Sequence, residues 1–237
     1  MNKKVYILGA GSSRELRFHI NHIDAGARTF KQEFIECAGP LSSGFFYDSY
    51  QLSSKLQSQL SIPPLKLYEP LSKHIVEYCR KELSLTVNEN DLLSDKEKSV
   101  RVNIEDLFIE VEEELEQVCH SQPIKDKDEH GVKVLSEVAV IKTQLVEFIF
   151  DALSILSNYC YSKNHAIFAQ HVVQNNTSIV SFNWDILLDE ALWGTGSWDY
   201  RTGYGVEFFK VLQKSVDNVL SPKTSHNLLL KPHGSLN

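Results

Sequence analysis

An α/β fold, with a doubly wound (Rossmann-like) parallel sheet and a helical insertion, is predicted by three features of the chain. Short apolar runs at residues 4–8, 177–182 and 228–231 each end in a glycine or polar turn, the pattern of strands buried in a parallel sheet. Helical periodicity fills the intervals between them, and that alternation argues for a sheet covered by helices. The helical stretch between about 70 and 175 is too long for one crossover, so it reads as an insertion or sub-domain.

The first element is a strand over residues 4–8, Lys-Val-Tyr-Ile-Leu, which enters Gly-Ala-Gly-Ser-Ser. Residues 12–50 are mixed, with Gly26, Gly39, Pro40 and Gly44 marking irregular stretches, and Pro63, Pro64 and Pro70 punctuate the next section of chain. Leu71, Ile75, Cys79 and Leu83 have helical spacing over 71–83. Asn103 is positioned to cap an acidic helix with Leu107, Val111, Leu115 and Val118 on one face. A charged loop near Lys125–Gly131 precedes a long helix over 134–162 and another over 165–174. The β-branched run 177–182 is a second strand, and Asp185–Trp193 is the helix after it. Four glycines with aromatic residues mark 194–205 as a loop. A helix is expected over 206–216, and Leu228–Lys231 is the last strand.

Composition bounds the function. The chain has 237 residues, 42% of them hydrophobic and 23% charged, enough for one large domain of ordinary globular type. No apolar run reaches the roughly 18 residues of a membrane span, and the apolar run after Met-Asn-Lys-Lys is too short for a signal peptide. A cytoplasmic protein with no membrane partner is expected. Net charge is −7, and residues 101–130 hold ten acidic and three basic residues, which leaves 21 of each sign elsewhere. With no basic stripe, direct nucleic-acid binding is not expected. The cysteines at 37, 79, 119 and 160 form no C-x-x-C pair, so a zinc ribbon is excluded on spacing and free thiols are expected.

Three strand ends carry the candidate chemistry. Gly9-Ala10-Gly11-Ser12-Ser13 comes directly after the first strand, where backbone N–H groups can approach a pyrophosphate because glycine has no side chain to block it. Ser13 lies past that turn. Position 14 is Arg14, so the third glycine of a dinucleotide fingerprint is missing, and no G-K-[ST] phosphate-loop motif occurs. Ser181-Phe182-Asn183-Trp184-Asp185 ends the second strand, and Asn183 and Asp185 can aim at one polar ligand beyond the sheet. The plainer alternative has Asp185 capping the next helix and Asn183 making the turn. Lys231-Pro232-His233-Gly234-Ser235 ends the third strand, and His233 there can serve as a general base. Elsewhere, His19, His22 and Asp24 carry metal-binding atoms, but no predicted helix presents the pair on one face. Glu112, Glu113, Glu114 and Glu116 read as a solvated helix face. Trp193, Trp198 and Tyr200 can stack on a base or pack.

In combination, GAGSS, SFNWD and KPHGS at successive strand ends resemble the sirtuin family. The flanks TSIVSFNWDILLDEAL and LLLKPHGSLN, and NIEDLFIEVEEE in the middle, look typical of it as well. The resemblance implies binding of NAD and cleavage of its nicotinamide–ribose bond. Protein deacylases of the family carry a G-I-P-D-F-R stretch where this chain has Ser13-Arg14-Glu15-Leu16-Arg17-Phe18. They also carry a four-cysteine zinc ribbon, and Thr-Gln where this chain has Ser181-Phe182. The departures resemble the sirtuin-like NAD-hydrolase branch found as effectors in prokaryotic anti-phage defence proteins, which use helical insertions in place of the zinc module.

On that resemblance Gly9, Ala10, Gly11 and Ser12 bind the pyrophosphate of NAD, with Ser181, Asp185 and Gly234 as further nucleotide contacts. Asn183 holds the nicotinamide ribose or the attacking water, His233 is the base, and no metal is implied. NAD+ is expected as substrate and partner, in a homo-oligomer. A C-terminal sensor domain or partner protein is expected too, because the chain ends at Asn237, three residues after the His-Gly pair.

Overall fold

The computed structural model describes residues 4–13, 15–24, 29–60, 64–121, 129–199, 203–204 and 227–232. The protein is mixed α/β and mostly helical, with a small parallel sheet of three strands. It divides into two compact units, one made of Met1–Ala38 with Ile155–Asn237, the other of Gly39–Ser154. Among the described residues no helix is long and apolar enough to cross a membrane.

In the first unit, β1 (Val5–Leu8), β5 (Ser178–Ser181) and β6 (Leu229–Leu230) run parallel in the order β1-β5-β6. The register pairs Tyr6 with Ile179, Leu8 with Ser181 and Ile179 with Leu229. Side chains alternate faces along a strand, so Tyr6, Leu8, Ile179 and Leu229 share one face. That face packs on Ala169 and Val172 of α7 (Lys163–Gln174), on Leu188 and Leu192 of α8 (Leu187–Trp193), and on Trp198. Val5, Ile7 and Leu230, on the opposite face, are 56%, 73% and 46% exposed.

The mixed stretch 12–50 contains a feature that local patterning did not predict. β2 (Glu15–Asp24) and β3 (Thr29–Ala38) form an antiparallel hairpin, with Glu15 opposite Ala38 and Asp24 opposite Thr29. The two-residue strand β4 (Cys160–Tyr161) adds to its other side through Arg17 and Phe18. The signal was the alternation Leu16-x-Phe18-x-Ile20. It was masked because the apolar phase slips at His22-Ile23. His19, His22 and Asp24 fall within β2.

The second unit is helical. It holds α1 (Phe45–Leu60), α2 (Leu71–Lys81), the single turns α3 (Asp91–Ser94) and α4 (Lys96–Ser99), α5 (Ile104–Ser121) and most of α6 (Glu129–Tyr159). Its limits differ from the expected 70–175 insertion, since α1 is included and α7 packs against the sheet. Helical spacing explains what it buries: Leu71, Ile75 and Cys79 of α2, and Leu107 and Val111 of α5. Phe148 of α6 packs against Phe45 and Phe46, with ring centroids 6.3 and 5.2 Å apart. Asn103 caps α5, its side-chain oxygen accepting from the Glu105 N–H at 2.9 Å. Gly44 leads into α1 with φ +81°, and a Cβ there would sit 3.2 Å from Val100 Cγ2.

Among the described residues, Cys79, Cys119 and Cys160 form no disulfide; Cys79 and Cys160 are buried and Cys119 is exposed. Burial pushes the Cys79 thiol up to about 11, so it is inert at neutral pH. The expected helix over 206–216 lies outside the described residues.

Candidate functional site

Parallel pairing of β1 with β5 puts the ends of both strands on the same rim, because Leu8 and Ser181 are register partners. The chain leaves β1 through Gly9 into a 3-10 turn over Ala10–Ser13, closed by the Ser12 N–H on the Gly9 carbonyl at 2.9 Å. Gly9 stands in the open: a Cβ built on it meets nothing within 4 Å. On the neighbouring strand, Asn183 lies two residues beyond β5, its N–H donating to Ser181 Oγ at 3.3 Å.

Asn183 joins the two loops. Its Nδ2 donates to Ser12 Oγ at 2.9 Å and to Ser13 Oγ at 2.8 Å, and Ser13 Oγ in turn donates to Asp185 Oδ2 at 2.8 Å. The amide orientation is dictated by these partners. An ionised carboxylate can only accept, so the single Ser13 proton goes to Asp185 and the group facing Ser13 must be the amide nitrogen. Among the described residues, the amide oxygen, Asn183 Oδ1, is left buried with no hydrogen-bond partner. A buried acceptor without a donor is costly unless something else supplies one.

Asp185 serves two ends. Its Oδ1 accepts from the Leu187 N–H at 3.1 Å, an Asx turn just before α8, whose N-cap position is Ile186, while Oδ2 holds Ser13. The expectation that Asp185 caps this helix is corrected: the cap position is Ile186, and Asp185 makes the turn ahead of it. Lys231, just after β6, donates its ammonium to the Asp185 carbonyl oxygen and lies 3.1 Å from Asp189 Oδ2. The side chains of Lys231 and Asp189 are 3% and 8% exposed. The Tyr204 hydroxyl donates to the other Asp189 oxygen. Lys231 thus fastens the end of β6 to the same rim. It also balances one of two buried carboxylates, as burial requires.

His165, in the first turn of α7, is almost fully buried, and among the described residues neither ring nitrogen has a hydrogen-bond partner. Burial lowers its pKa below the ordinary 6.5, against the upward pull of Asp185 and Asp189 and with the help of Lys231. The imidazole is therefore neutral at neutral pH. Burial, then Asp189 and Asp185, raise the pKa of Glu190. Glu190, Leu187 and Ala191 line a cavity of about 300 Å³ with Ser162 and Gln170, and none of the described residues among the predicted site residues borders it.

Gly9, Ser12, Ser181, Asn183 and Asp185 are thus brought together as the sequence suggested, with Ala10 and Gly11 in the turn between them. His233 and Gly234 lie outside the described residues. Ser13, expected past the turn, is instead buried at the centre of the network. Sequence reasoning also missed Asp189, Lys231 and His165. Asp189 had a legible signal, since it comes one helical turn after Asp185. Lys231 stands inside the KPHGS motif. His165 had none, because its neighbours come from distant parts of the chain. In the glycine loop, Trp198 is buried against Gly203, which has no side chain to oppose it, and meets Tyr204 edge-on at 5.5 Å. Trp193 is 60% exposed, and Tyr200 lies outside the described residues. No protein-family model, curated protein or solved structure matches the chain.

Proposed function

We propose that this chain is a sirtuin-like NAD+ hydrolase that cleaves the nicotinamide–ribose bond and releases nicotinamide and ADP-ribose. The observation that carries the reading is Asn183. Its Nδ2 ties the glycine turn to the end of β5, while its buried Oδ1 has no partner among the described residues. An acceptor held so firmly is preorganised for a ribose hydroxyl or for the attacking water. The GAGSS, SFNWD and KPHGS resemblance supplies the substrate and the remaining roles.

In this reading the open turn around Gly9–Ser12 takes the pyrophosphate, and Ser181 borders the ribose. Asp185 acts through Ser13, whose proton it holds, and so fixes the donor face of Asn183. Water attacks the anomeric carbon as nicotinamide departs with the electron pair of the C–N bond. Charge develops as in an oxocarbenium-like transition state, and His233 takes the proton of the water, with Gly234 leaving room beside it. No metal takes part in this scheme. The fold is a doubly wound, Rossmann-like one, and the exposed apolar residues Val5, Ile7 and Leu230 have the composition of a sheet face meant for a second layer. The wider setting is a cytoplasmic, oligomeric defence effector that depletes NAD and works with a sensor domain or partner protein.

The test is incubation with NAD+ while free nicotinamide is monitored by chromatography. Turnover is expected, and His233→Ala should lower it by about 10²–10⁴-fold without unfolding the protein. NAD+ binding with no nicotinamide release would turn the reading into a sensing module. Release only with an acylated peptide present would turn it into a deacylase.

A further inference from the structure

We infer that His74, Glu110 and Glu114 form a site for one divalent transition-metal ion of zinc type, joining α2 to α5 in the helical unit. Glu110 and Glu114 lie one turn apart on α5 and so share a face, and His74 of α2 sits against them. His74 Nε2 is 2.8 Å from Glu110 Oε2, and His74 Nδ1 is 3.9 Å from Glu114 Oε2. One ligand atom from each of the three residues falls within 4.8 Å of the other two. An imidazole nitrogen and two carboxylate oxygens are a borderline donor set that suits zinc, with room left for water.

Charge supplies a second argument. The glutamates around this triad have cations of their own. Lys142 lies 2.7 Å from Glu112, Lys81 lies 2.9 Å from Glu77, and Lys73 lies 2.7 Å from Glu69. Among the described residues, no lysine or arginine forms an ion pair with Glu110 or Glu114, and both converge on the imidazole. Lys81 acts on Glu114 only as a longer-range charge, so the two carboxylates face one imidazole with no lysine or arginine ion pair among the described residues, and a metal ion can supply positive charge at that point. Zinc ligands at about 2.1 Å stand about 3.4 Å from one another in a tetrahedron. The half-exposed Glu114 can close that gap by side-chain rotation, and the ion replaces the proton shared by His74 and Glu110.

The experiment uses the whole chain, stripped with EDTA, at pH 7.5. ZnCl2 is titrated by calorimetry while the His74 imidazole signals are monitored by NMR, assigned by their loss in His74→Gln. A saturable single-site change at His74 is expected. Glu114→Gln, which keeps the His74–Glu110 hydrogen bond, should weaken zinc binding at least tenfold while leaving the melting temperature of the metal-free protein unchanged. MgCl2 should leave the imidazole signals in place, because magnesium favours oxygen ligands. Imidazole signals that ignore zinc, or that move equally with magnesium, would overturn the site. Parent-like zinc affinity in Glu114→Gln would do the same.

Discussion

The two compact units bury different chemistry. Among the described residues of Gly39–Ser154, the buried polar side chains are serines (Ser49, Ser53, Ser72 and Ser99) scattered among Phe46, Leu56, Leu71, Ile75, Leu107 and Leu145. The sheet unit buries Asn183, Asp185, Asp189, His165 and Asn227. A serine interrupts an apolar core at little cost, whereas carboxylates and an imidazole need partners or a reason to stay buried. The difference separates a region selected for packing from one that holds polar groups in fixed positions. The helical unit confines its charged groups to its surface, where the His74 triad lies.

Matched truncations give the sharpest test of this contrast. Asn183→Ala should lower nicotinamide release by about 10²–10³-fold, the usual effect of losing one preorganised polar group, with a stability loss of about 1–3 kcal/mol for its two hydrogen bonds. Leu107→Ala, by contrast, should cost about 2–5 kcal/mol of stability by denaturant titration and leave turnover per folded molecule intact. If the two variants exchanged these outcomes, the distinction between the units would collapse.

A smaller effect is expected at Ser13. Ser13→Ala removes the proton held by Asp185 and an acceptor for Asn183, and should cost about 1–3 kcal/mol with a lowered turnover. A neutral result would return Ser13 to the edge of the site.

The smallest effect is set by pH. His165 titrates lower in the folded than in the unfolded chain, so at acidic pH the unfolded chain binds the extra proton. Its contribution is therefore complete above the ordinary value of 6.5 and is lost as pH falls below it, by at most about 1.4 kcal/mol per pH unit. Comparing melts at pH 7.5 and 5, the parent should lose more stability than His165→Leu. Equal losses would mean that His165 titrates in the native protein as it does in the unfolded chain.

Much of the sheet unit was legible because its signals are local. The run Val-Tyr-Ile-Leu into glycine and the β-branched run before Phe182 mark strands wherever they occur, and Asn103 marked a helix start by its position alone. The hairpin β2–β3 was not legible, since its alternation breaks at His22-Ile23 and pairing energy comes from a partner strand rather than from the run itself. The site divides in the same way. Asn183 and Asp185 announced themselves at a strand end, but the buried position of Ser13 depends on a partner about 170 residues away.

The sequence by itself determined where strands β1, β5 and β6 lie, which faces of α2 and α5 are buried, and which polar residues stand at the strand ends, but not helix α1. These features are set by periodicity, propensity and turn chemistry within short windows. The tertiary structure alone decided the strand order β1-β5-β6, and with it the meeting of Asn183, Ser13 and Asp185. It also decided that Asn183 Oδ1 is left without a donor among the described residues, that Lys231 balances Asp189, and that His165 is buried beside them. The physical reason is that hydrogen bonding, desolvation and charge balance act between groups close in space, and no local pattern in the chain encodes which distant groups those are.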